Sequence, residues 1–499
     1  MRIEPIEPPS DREATTTLNV QRTRFNRQPS TINHPPSTRW PGALSLALGL
    51  CVVGLTTSPA TQAATRYVDL NNSTPTAPYT TWVTAAATIQ AAVDAAAAGD
   101  EILVTNGTYA TGGRAVYGGT TSRVEIDKAV TVRSVNGPLV TSIAGQPAPG
   151  TTNNGDGAIR CVYLGANAVL SGFTLTNGHT RADWEADVAE RSGGGVWCEW
   201  SGVLTNCTLT DNSAFYGGGA YGGMLNNCTL TANSADYGGG ASWSTLNNCT
   251  LTDNSALHGG GGACESTLNN CTLTANSAST YRGGGSGGTL NRSLPSILGE
   301  PPPPLLPLPM NGGGAYGGTL NNCTLTGNSA SDSGGGACWG TLNNCIVYYN
   351  TANTGANHYE STFAYSCSTP LPAGPGNIDA DPLLLTATHL SAQSPCIGRG
   401  SAEYTTGVDI DGEPWLDPPC MGADQLVAGA ATGPLTVVIT AACTNVVTGF
   451  AVSFVGQIDG RLSASAWDFG DGVVVSNRPY ASHAWAEAGV YPVRLTGYN

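Results

Sequence analysis

The sequence predicts an all-β protein in which a stack of short coils is followed by a small β-sandwich. A seven-residue phrase, Leu-Asn-Asn-Cys-Thr-Leu-Thr, recurs at residues 225–231, 246–252 and 268–274. Apolar and polar residues alternate in its second half, which is the period of a β-strand with one buried face. The chain also contains 66 glycines among 499 residues, the excess expected when every repeat needs a tight bend.

The spacing of the phrase predicts a coiled stack. Its cysteine recurs at Cys207, Cys228, Cys249 and Cys271, at spacings of 21, 21 and 22 residues. Units of this length cannot bury an apolar face alone, so we expect them to lie on one another with backbone groups paired from coil to coil. About a dozen coils are predicted between residues 66 and 425, at a rise of about 4.8 Å per coil.

Each coil is predicted to contain a short strand, a turn and a bend. In one coil, Cys228 and Leu230 are expected to point inward and the flanking threonines outward. Asn233 opens a turn in which a stacked amide can satisfy the backbone, and glycines 238–240 allow a tight bend. The glycines, the β-branched residues and the two-residue alternation exclude a helix here.

Six cysteines occupy the same position of the repeat. They are Cys207, Cys228, Cys249, Cys271, Cys323 and Cys345. We expect them to form a structural ladder of small buried side chains, with disulfides between neighbouring coils as the alternative. Cys396 and Cys420 are better candidates for a disulfide, although the sequence leaves the connectivity open. No zinc site is predicted, because the sequence lacks CxxC pairs and clustered histidines.

Residues 1–63 are predicted to be an N-terminal extension and signal peptide. The apolar stretch from Gly42 to Leu55 follows Arg39, is too short to span a bilayer, and precedes small residues of the kind that signal peptidases cut. We expect cleavage after Ala63. The mature chain is therefore predicted to be secreted or held at a cell surface, without a membrane span.

The charge balance excludes some partners. The formal net charge is −15, and Lys128 is the single lysine of the sequence. A chain this poor in cations has no electrostatic footprint for nucleic acid or for an anionic membrane. We therefore expect no nucleic-acid partner.

The opening and the repeats of the stack resemble known proteins. The segment ATIQAAVDAAAAGDEILVTNGTY, Ala87 to Tyr109, is similar to the first helix and first coil of right-handed parallel β-helix proteins of the pectate-lyase-like superfamily. The resemblance implies that the amphipathic run 89–98 covers the open end of the core. Coils with Gly-Gly-Gly-Ala-Tyr and Asn-Ser-Ala also resemble repeats of chlamydial polymorphic outer-membrane proteins, which are adhesins. The implied β-helix spans residues 64–426, with coils clearest at 201–350.

A proline-rich insert interrupts the array. Residues 292–310 stand where the next repeat phrase should follow Asn291, and proline cannot supply the hydrogen bonds between coils. We interpret the insert as a loop extruded from the stack or as a patch of shifted reading frame. A proline-rich ligand for a partner is a third alternative.

The C-terminal part predicts a separate module. After a small-residue linker, 427–434, residues 435–499 show short strands separated by turn residues, typical of a β-sandwich. The Trp-x-Phe-Gly-Asp-Gly and Gly-x-Tyr-x-Val-x-Leu patterns resemble a PKD (polycystic kidney disease) domain, which implies a spacer or a protein- or carbohydrate-contacting module. The chain ends near the last expected strand, so a truncated domain is one alternative. The residues to which the resemblance assigns core and turn roles are Trp467, Asp471, Gly472 and Tyr491.

The charged and aromatic loop 177–200 is the candidate ligand or catalytic site. It combines acids, bases and aromatic rings that can stack on a sugar, and a solvated loop is the alternative. The catalytic candidates are Arg181, Asp183 and Glu185, and the ligand-binding candidates are Trp184, Trp197 and Trp200. His179, Asp187, Glu190 and Arg191 belong to the same loop.

Other carboxylates are predicted to be structural. Asp211 and Asp253 share a repeat position two coils apart, with no base beside them, and we interpret them as turn residues. Four acids near the end of the predicted β-helix are numerous enough to suggest calcium. DxDG alone lacks the remaining ligands of a calcium loop, so we favour structural turns and expect no cofactor. These acids are Asp379, Asp381, Asp409 and Asp411.

The outward threonines suggest a further alternative. Two per coil form a Thr-x-Thr lattice that resembles the ice-binding face of other β-helical proteins, although strand propensity alone favours threonine there. The lattice comprises Thr174, Thr176, Thr208, Thr210, Thr229, Thr231, Thr250, Thr252, Thr272, Thr274, Thr324 and Thr326.

The favoured function is a non-enzymatic exported rod with a PKD module. Its predicted role is structural, adhesive or glycan-contacting at a cell surface, and its expected partner is an extracellular polysaccharide or a cell-surface component. The alternative is a polysaccharide lyase or glycoside hydrolase of the pectate-lyase-like superfamily, and ice binding is a minor alternative.

Overall fold

The computed structural model describes residues 63–116, 119–182, 186–279, 311–427, 435–460 and 462–498. These residues belong to one compact unit, which includes everything from Ala63 onward. The predicted signal peptide and the proline-rich insert 292–310 lie outside the described residues, as does linker 428–434.

Three long sheets and one short sheet build the coils, and their strands pair in parallel from one coil to the next. Within the described residues, sheet A has eleven strands and sheet B has ten. The strands of sheet A are Thr65–Val68, Glu101–Val104, Thr131–Ser134, Val169–Ser171, Val203–Thr205, Met224–Asn226, Thr245–Asn247, Thr267–Asn269, Thr319–Asn321, Thr341–Asn343 and Thr362–Ala364. Those of sheet B are Gly107–Tyr109, Thr141–Ala144, Thr174–Thr176, Thr208–Thr210, Thr229–Thr231, Thr250–Thr252, Thr272–Thr274, Thr324–Thr326, Ile346–Tyr348 and Cys367–Ser368.

Sheet C completes the coils, and in five of them a strand of sheet D precedes it, so that the full order is A, B, D, C. Sheet C is parallel except for its first strand, which pairs antiparallel with the second. Its strands are Arg114–Ala115, Thr121–Ile126, Ile159–Leu164, Val196–Cys198, Ala220–Tyr221, Ala241–Ser242, Ala263–Cys264, Ala315–Tyr316, Ala337–Cys338 and His358–Tyr359. Those of sheet D are Ser213–Tyr216, Ser234–Tyr237, Ser255–Gly259, Ser277–Ala278 and Ser329–Ala330. The predicted all-β class, a parallel β-helix, is confirmed.

Inward side chains stand directly above one another. In sheet A, Leu225 pairs with Leu246 and Leu246 with Leu268, and all three side chains are buried. In sheet B, Leu230 pairs with Leu251 in the same way. The repeat phrase therefore recurs because each coil must place a leucine over the leucine below it, which keeps the core continuous and dry.

A buried file of asparagines joins the coils at the turn between sheets B and D. The Oδ1 atom of Asn254 accepts from the backbone N–H and the Nδ2 of Asn233 at 3.0 and 2.9 Å. The Nδ2 atom of Asn254 donates to the carbonyl of Leu230 at 2.8 Å and to Asn276 at 3.0 Å. This is the stacked amide that the sequence predicts, and it satisfies backbone groups that no other interior residue reaches.

The six repeat cysteines lie in one file and are free thiols, at most 2% exposed. Each donates its S–H to carbonyls within the turn; for example, the Sγ of Cys271 lies 3.2 Å from the carbonyl oxygen of Asn269. The ladder of buried side chains is therefore found, and the alternative of disulfides between coils is not. Cys396 and Cys420 are also buried free thiols, so the disulfide expected between them is not formed.

A helix covers the N-terminal end of the core. Helix Ile89–Ala95 begins after Thr88, whose Oγ1 accepts from the backbone N–H of Ala91, and it buries Ile89, Ala92 and Val93. The only lysine, Lys128, donates to the carbonyls of Val93, Asp94 and Ala96 at 2.9–3.0 Å and so caps its C-terminus. The predicted capping helix is present. The other helices are Val188–Arg191 and the 3₁₀ turn Ala402–Tyr404.

The coils are continuous across the segment that contains the insert. Leu273 pairs with Leu325, and Asn276 donates to Asn328 at 3.0 Å, although more than fifty residues separate these partners in sequence. The sheet D strand Ser277–Ala278 and the sheet C strand Ala315–Tyr316 therefore belong to one coil, which pairs with the coil before it through both strands.

The coils end earlier than the predicted boundary at residue 426. The last strand of sheet B is Cys367–Ser368, and the following residues form a closing segment that runs back along the side of the stack. Amides of the repeat hold this segment: the Nδ2 of Asn344 donates to the Ser401 carbonyl, and that of Asn322 to the Tyr404 carbonyl. The same contact continues at Asn270 and Asn248, which donate to the carbonyls of Thr406, Val408 and Asp409.

The C-terminal module is a sandwich of two three-stranded antiparallel sheets. The first contains Thr436–Ala441, Val452–Asp459 and Tyr480–His483, and the second Val474–Ser476, Ala464–Asp468 and Arg494–Tyr498. Trp467 is fully buried, and its indole donates to the carbonyl of Arg478 at 2.8 Å. Gly472 has a φ of 91°, which requires the left-handed region. Tyr491 stacks on Trp485 with ring centroids 5.5 Å apart.

Asp471 also has a structural role in this module. It accepts from the amide of Val473 at 3.2 Å and pairs with His483 at 2.7 Å. Partial desolvation would raise the pKa of Asp471, but hydrogen bonds from His483 and Val473 outweigh it and hold that pKa below its ordinary value. The core and turn positions expected for these residues are therefore the ones they occupy.

Contacts of the module with the closing segment and the coils are polar and aromatic. Arg478 pairs with Asp381 at 2.5 Å, and Asp381 also accepts from the hydroxyl of Tyr349. The hydroxyl of Tyr480 lies 3.4 Å from that of Thr326 on sheet B. The last rung of the threonine lattice is consequently buried.

Replacing one buried asparagine tests the inter-coil file. Asn254→Ala removes hydrogen bonds to four buried polar atoms on the two adjoining coils and leaves the backbone N–H of Asn233 without its acceptor. We therefore expect a loss of about 3–5 kcal/mol in the free energy of unfolding, measured from urea unfolding curves. Thr229→Ala, on the exposed side of the preceding coil, is the matched control and should change stability by less than about 0.5 kcal/mol. Equal effects of the two substitutions would contradict the assigned role.

Thiol labelling tests the cysteine ladder. In the native protein we expect rapid reaction only at Cys443, which is half-buried, because the other thirteen described cysteines are buried. After unfolding without a reductant, all fourteen cysteines from Ala63 onward should react, as counted by mass spectrometry. Fewer labelled thiols would show that neighbouring coils are joined by disulfides.

Candidate functional site

Part of the loop that contains the catalytic candidates is held in place by ion pairs and hydrogen bonds. The guanidinium of Arg181 donates to Glu190 at 2.7 Å and to Asp156 at 3.1 Å. Glu190 in turn accepts from the amide of Gly119 at 2.7 Å. The hydrogen bond with Glu190 raises the pKa of Arg181, so this side chain stays charged and paired. Arg181 is therefore poorly suited to act as a base.

The other candidates in this loop are separated. Asp183, Trp184 and Glu185 lie outside the described residues. Trp197 points outward from sheet C and stacks on Tyr221, with centroids 4.7 Å apart and an interplanar angle of 13°. Trp200 lies on the following turn and is 73% exposed. Trp197 and Trp200 thus face different surroundings.

A second group of aromatic rings follows the first rungs of sheet D. We define the sheet D cluster as Arg191, Tyr216, Asp236, Tyr237 and His258. Tyr216 stacks on Tyr237 with centroids 5.5 Å apart, and Tyr237 lies 5.2 Å from the ring of His258. The rings repeat from coil to coil because parallel pairing in register puts Tyr216 beside Tyr237.

Arg191 closes one end of the sheet D cluster. It ends the short helix Val188–Arg191, and its guanidinium carbon lies 4.6 Å from the ring centroid of Phe215 and 5.5 Å from that of Tyr216. Its Nε atom is buried without a hydrogen-bond partner. A guanidinium this close to two ring centroids is held by cation–π contact, which fixes a positive charge beside the aromatic rings.

The cluster also contains a perturbed acid. Burial raises the pKa of Asp236, while the nearby charges of His258 and Arg191 lower it, and burial is the stronger effect. A register shift after Ala235 accommodates one extra residue in the next strand, so that Gly259 pairs with Tyr237 while the ring of His258 lies 5.2 Å from that of Tyr237. Such bulges redirect side chains and often occur beside functional sites.

The sheet D cluster therefore gathers three ionisable groups on an aromatic surface. This arrangement can bind a polar ligand that also offers an apolar face, which is a property of sugars. The sequence alone did not reveal this cluster, because its members come from different coils. The common position of Phe-Tyr, Asp-Tyr and Leu-His directly before the glycine runs 217–219, 238–240 and 259–262 is the signal that could have revealed it.

A second group of carboxylates lies in the closing segment. Two sets of three side chains, each with donor atoms within 4.8 Å of one another, share Asp424: His389 and Asp411 complete one, and Asp409 and Glu413 the other. Asp409 already accepts from three backbone amides at 2.7–3.0 Å, which supports its predicted role as a turn residue. Oxygen and imidazole donors at these distances could hold a divalent cation.

The remaining predicted carboxylates are spread over the molecule. Asp211 and Asp253 both have a φ of 55° at the turn after sheet B, with Ala232 in the same position on the coil between them. Asp381 pairs with Arg478, and Asp379 is exposed. The structure therefore does not bring Asp379 and Asp381 together with Asp409 and Asp411 in either group of potential metal ligands.

Other surfaces fit ligands less well. A pocket beside the N-terminal helix, lined by Gln90, Tyr109 and Arg123, has a volume of about 60 Å³, far below the several hundred Å³ typical of ligand pockets. The threonine lattice is interrupted, because Thr272, Thr324 and Thr326 are buried. Among the described residues, no helix has the length and apolar character needed to cross a membrane.

Comparisons with known proteins agree with this architecture. Residues 434–498 match the family model described as PKD domain. The chain is thus a parallel β-helix protein that carries a C-terminal PKD domain. No curated protein matches its sequence.

Solved structures similar to the chain share its general architecture at low identity. One is the pectate lyase Pel9A, with 13% identity and a TM-score of 0.40, covering 74% of this chain and 98% of that one. Another is a rhamnogalacturonan lyase, with 12% identity and a TM-score of 0.32, covering 61% and 87%.

The pH dependence of stability tests the environment of Asp424. Burial raises the pKa of this 5% exposed carboxyl to about 6, from an ordinary value of 3.8. The folded chain therefore binds this proton more tightly than the unfolded chain, so the contribution of Asp424 to stability increases as the pH falls from 7.5 to 4. Asp424→Asn keeps an acceptor for Leu390, and at pH 7.5 it should stabilise the protein by up to about 3 kcal/mol.

Thermal unfolding of both proteins between pH 4 and 7.5 provides the measurement. The difference between wild type and variant should shrink as the pH falls through about 6. Curves that stay parallel would contradict the raised pKa. If the carboxylates take calcium, added calcium should instead raise the melting temperature of the wild type alone.

Proposed function

We propose that the protein is an exported, non-enzymatic surface rod that contacts carbohydrate, with the sheet D cluster as its main contact site. The observation that carries this proposal is the file of Tyr216, Tyr237 and His258 beside the guanidinium of Arg191. Aromatic rings bind the apolar face of a sugar, and charged groups at their edge bind its hydroxyls.

The use of the basic residues supports a non-enzymatic role. Lys128 caps a helix, and Arg181 is held by Glu190 and Asp156. Arg114 pairs with Asp94, and Arg133 with Glu101. These cations are engaged in structural contacts, whereas Arg191 lies against the aromatic rings of the sheet D cluster.

Export is supported by the sequence before Ala63. The apolar stretch 42–55 and the small residues after it have the features of a signal peptide. An acidic chain with buried thiols also suits an extracellular setting, because buried thiols are protected from oxidants. The PKD domain then serves as a contact module or spacer.

A polysaccharide lyase or hydrolase is the alternative function. The raised pKa of Asp236, next to His258 and Arg191, favours it, because a carboxyl whose pKa is raised is better suited to act as a general acid. In this case sugar chains would be cleaved at the sheet D cluster and not only bound there.

Binding and cleavage assays distinguish the two functions. Purified protein is tested against neutral and acidic polysaccharides by affinity electrophoresis, and release of reducing or unsaturated sugars is measured in parallel. Tyr237→Ala and Arg191→Ala should each weaken binding by about tenfold, since each removes one stacking or charged contact. No sugar release is expected.

Two further variants serve as controls. Trp82→Ala removes another exposed ring, at the N-terminal end, and should leave binding unchanged. Sugar release by the wild type that is lost in Asp236→Asn would establish the enzymatic alternative. Undiminished binding by both Tyr237→Ala and Arg191→Ala would remove the sheet D cluster as the contact site.

A further inference from the structure

The corner between sheets C and A has an unusual composition. One residue per coil occupies the turn there, and its backbone N–H donates to the coil above; Trp243 donates to the Cys264 carbonyl at 3.1 Å and Trp339 to the Tyr359 carbonyl at 3.1 Å. We call these residues the corner column. Its members are Gly222, Trp243, Glu265, Gly317, Trp339 and Glu360.

Every residue of the corner column has a left-handed backbone. The φ angles are 74° and 63° at Gly222 and Gly317, but also 55° at Trp243 and 60° at Trp339. Glycine suits this conformation, whereas the Cβ of a bulky residue crowds its own backbone there. The tryptophans therefore occupy positions where stability alone would favour glycine.

Tryptophans at this corner are also exposed to solvent. Trp339 is 44% exposed, and Trp200, on the longer turn of an earlier coil at the same corner, is 73% exposed. Large apolar rings at a strained and solvent-facing position contribute little to the core. Strain of this kind is typically kept where it serves a ligand.

A carboxylate follows each tryptophan along the corner column, and a glycine precedes it. A Cβ atom at Gly317 would lie 2.7 Å from the carboxyl carbon of Glu265, so this carboxyl group lies over the glycine next to the Trp339 coil. Glu360 follows Trp339 on the next coil. Three coils, or about 14 Å, separate Trp243 from Trp339.

We propose that the corner column binds an extended neutral polysaccharide that lies along the long axis of the coils. Tryptophan faces fit the apolar faces of pyranose rings, and carboxylates accept hydrogen bonds from sugar hydroxyls. The rise of one coil is close to the length of one sugar unit, so successive rungs match successive sugars. Acidic polysaccharides are disfavoured, because Glu265, Glu360 and the net charge of −15 repel them. This inference deepens the proposed carbohydrate contact by naming a second strip and its ligand class.

Substitution by glycine gives an unusual test. Trp243→Gly and Trp339→Gly remove the rings but suit the left-handed backbone, as Gly222 and Gly317 do in the same column. We expect each variant to lose at least fivefold in affinity for mixed-linkage β-glucan or xylan in affinity electrophoresis, with an unchanged or higher melting temperature. Trp339→Asn, which also tolerates this backbone, is a second variant with the same expected loss. Trp82→Ala, equally exposed at 43%, is the control and should bind like the wild type.

The outcomes separate this inference from the proposed function. Unchanged binding of neutral polysaccharide by the double variant Trp243→Gly/Trp339→Gly would overturn the corner column as a binding strip. Wild-type binding to polygalacturonate alone, lost in Tyr237→Ala, would overturn it too but leave the sheet D cluster in place. A wild type that binds no polysaccharide would overturn both.

Discussion

The buried amides of the asparagine file impose the constraint on which the other features of the coils depend. Asn233, Asn254 and Asn276 each satisfy backbone and side-chain groups of the adjoining coils, and no water or alternative partner is needed inside. Because each amide needs the next one directly above it, the coils between Asn212 and Asn276 and between Asn328 and Asn350 keep a length of 21 or 22 residues. Leucine and cysteine then fall into register behind it, and the long insert is tolerated only because it leaves the file intact between Asn276 and Asn328.

The same constraint decides where the sequence is free to vary. Inward positions repeat with little change, while the outward positions of sheet D and the corner column differ from coil to coil. Tyr216 and Tyr237 occupy equivalent positions of sheet D with the ring of His258 beside them, and Trp243 and Trp339 replace glycine in the corner column. Since a residue that faces solvent contributes little to stacking, departures from the repeat at these positions are the best guide to function.

This distinction also explains what the sequence could predict. The period, the inward alternation, the capping helix and the PKD domain depend on local patterns, and they agree with the structure. The closing segment does not repeat, and its contact with Asn344 and Asn322 joins residues more than fifty positions apart, which no local pattern reveals. Arg181 has the residue type of a catalytic base, yet only the fold shows that Glu190 and Asp156 already hold it. The role of Asp236 could not be predicted from the sequence, because the charged groups beside it come from other coils.

The closing segment further determines which sides of the coils remain available. It covers the corner between sheets A and B by binding the amides of Asn248, Asn270 and Asn322, and Tyr480 of the PKD domain contacts sheet B at Thr326. These contacts lie at the turn between sheets A and B and on the last threonines of sheet B. The chain thus uses its own C-terminal residues to shield one side. The aromatic and strained residues are concentrated on the sides that this segment leaves uncovered, which is the arrangement expected if those sides meet an external partner.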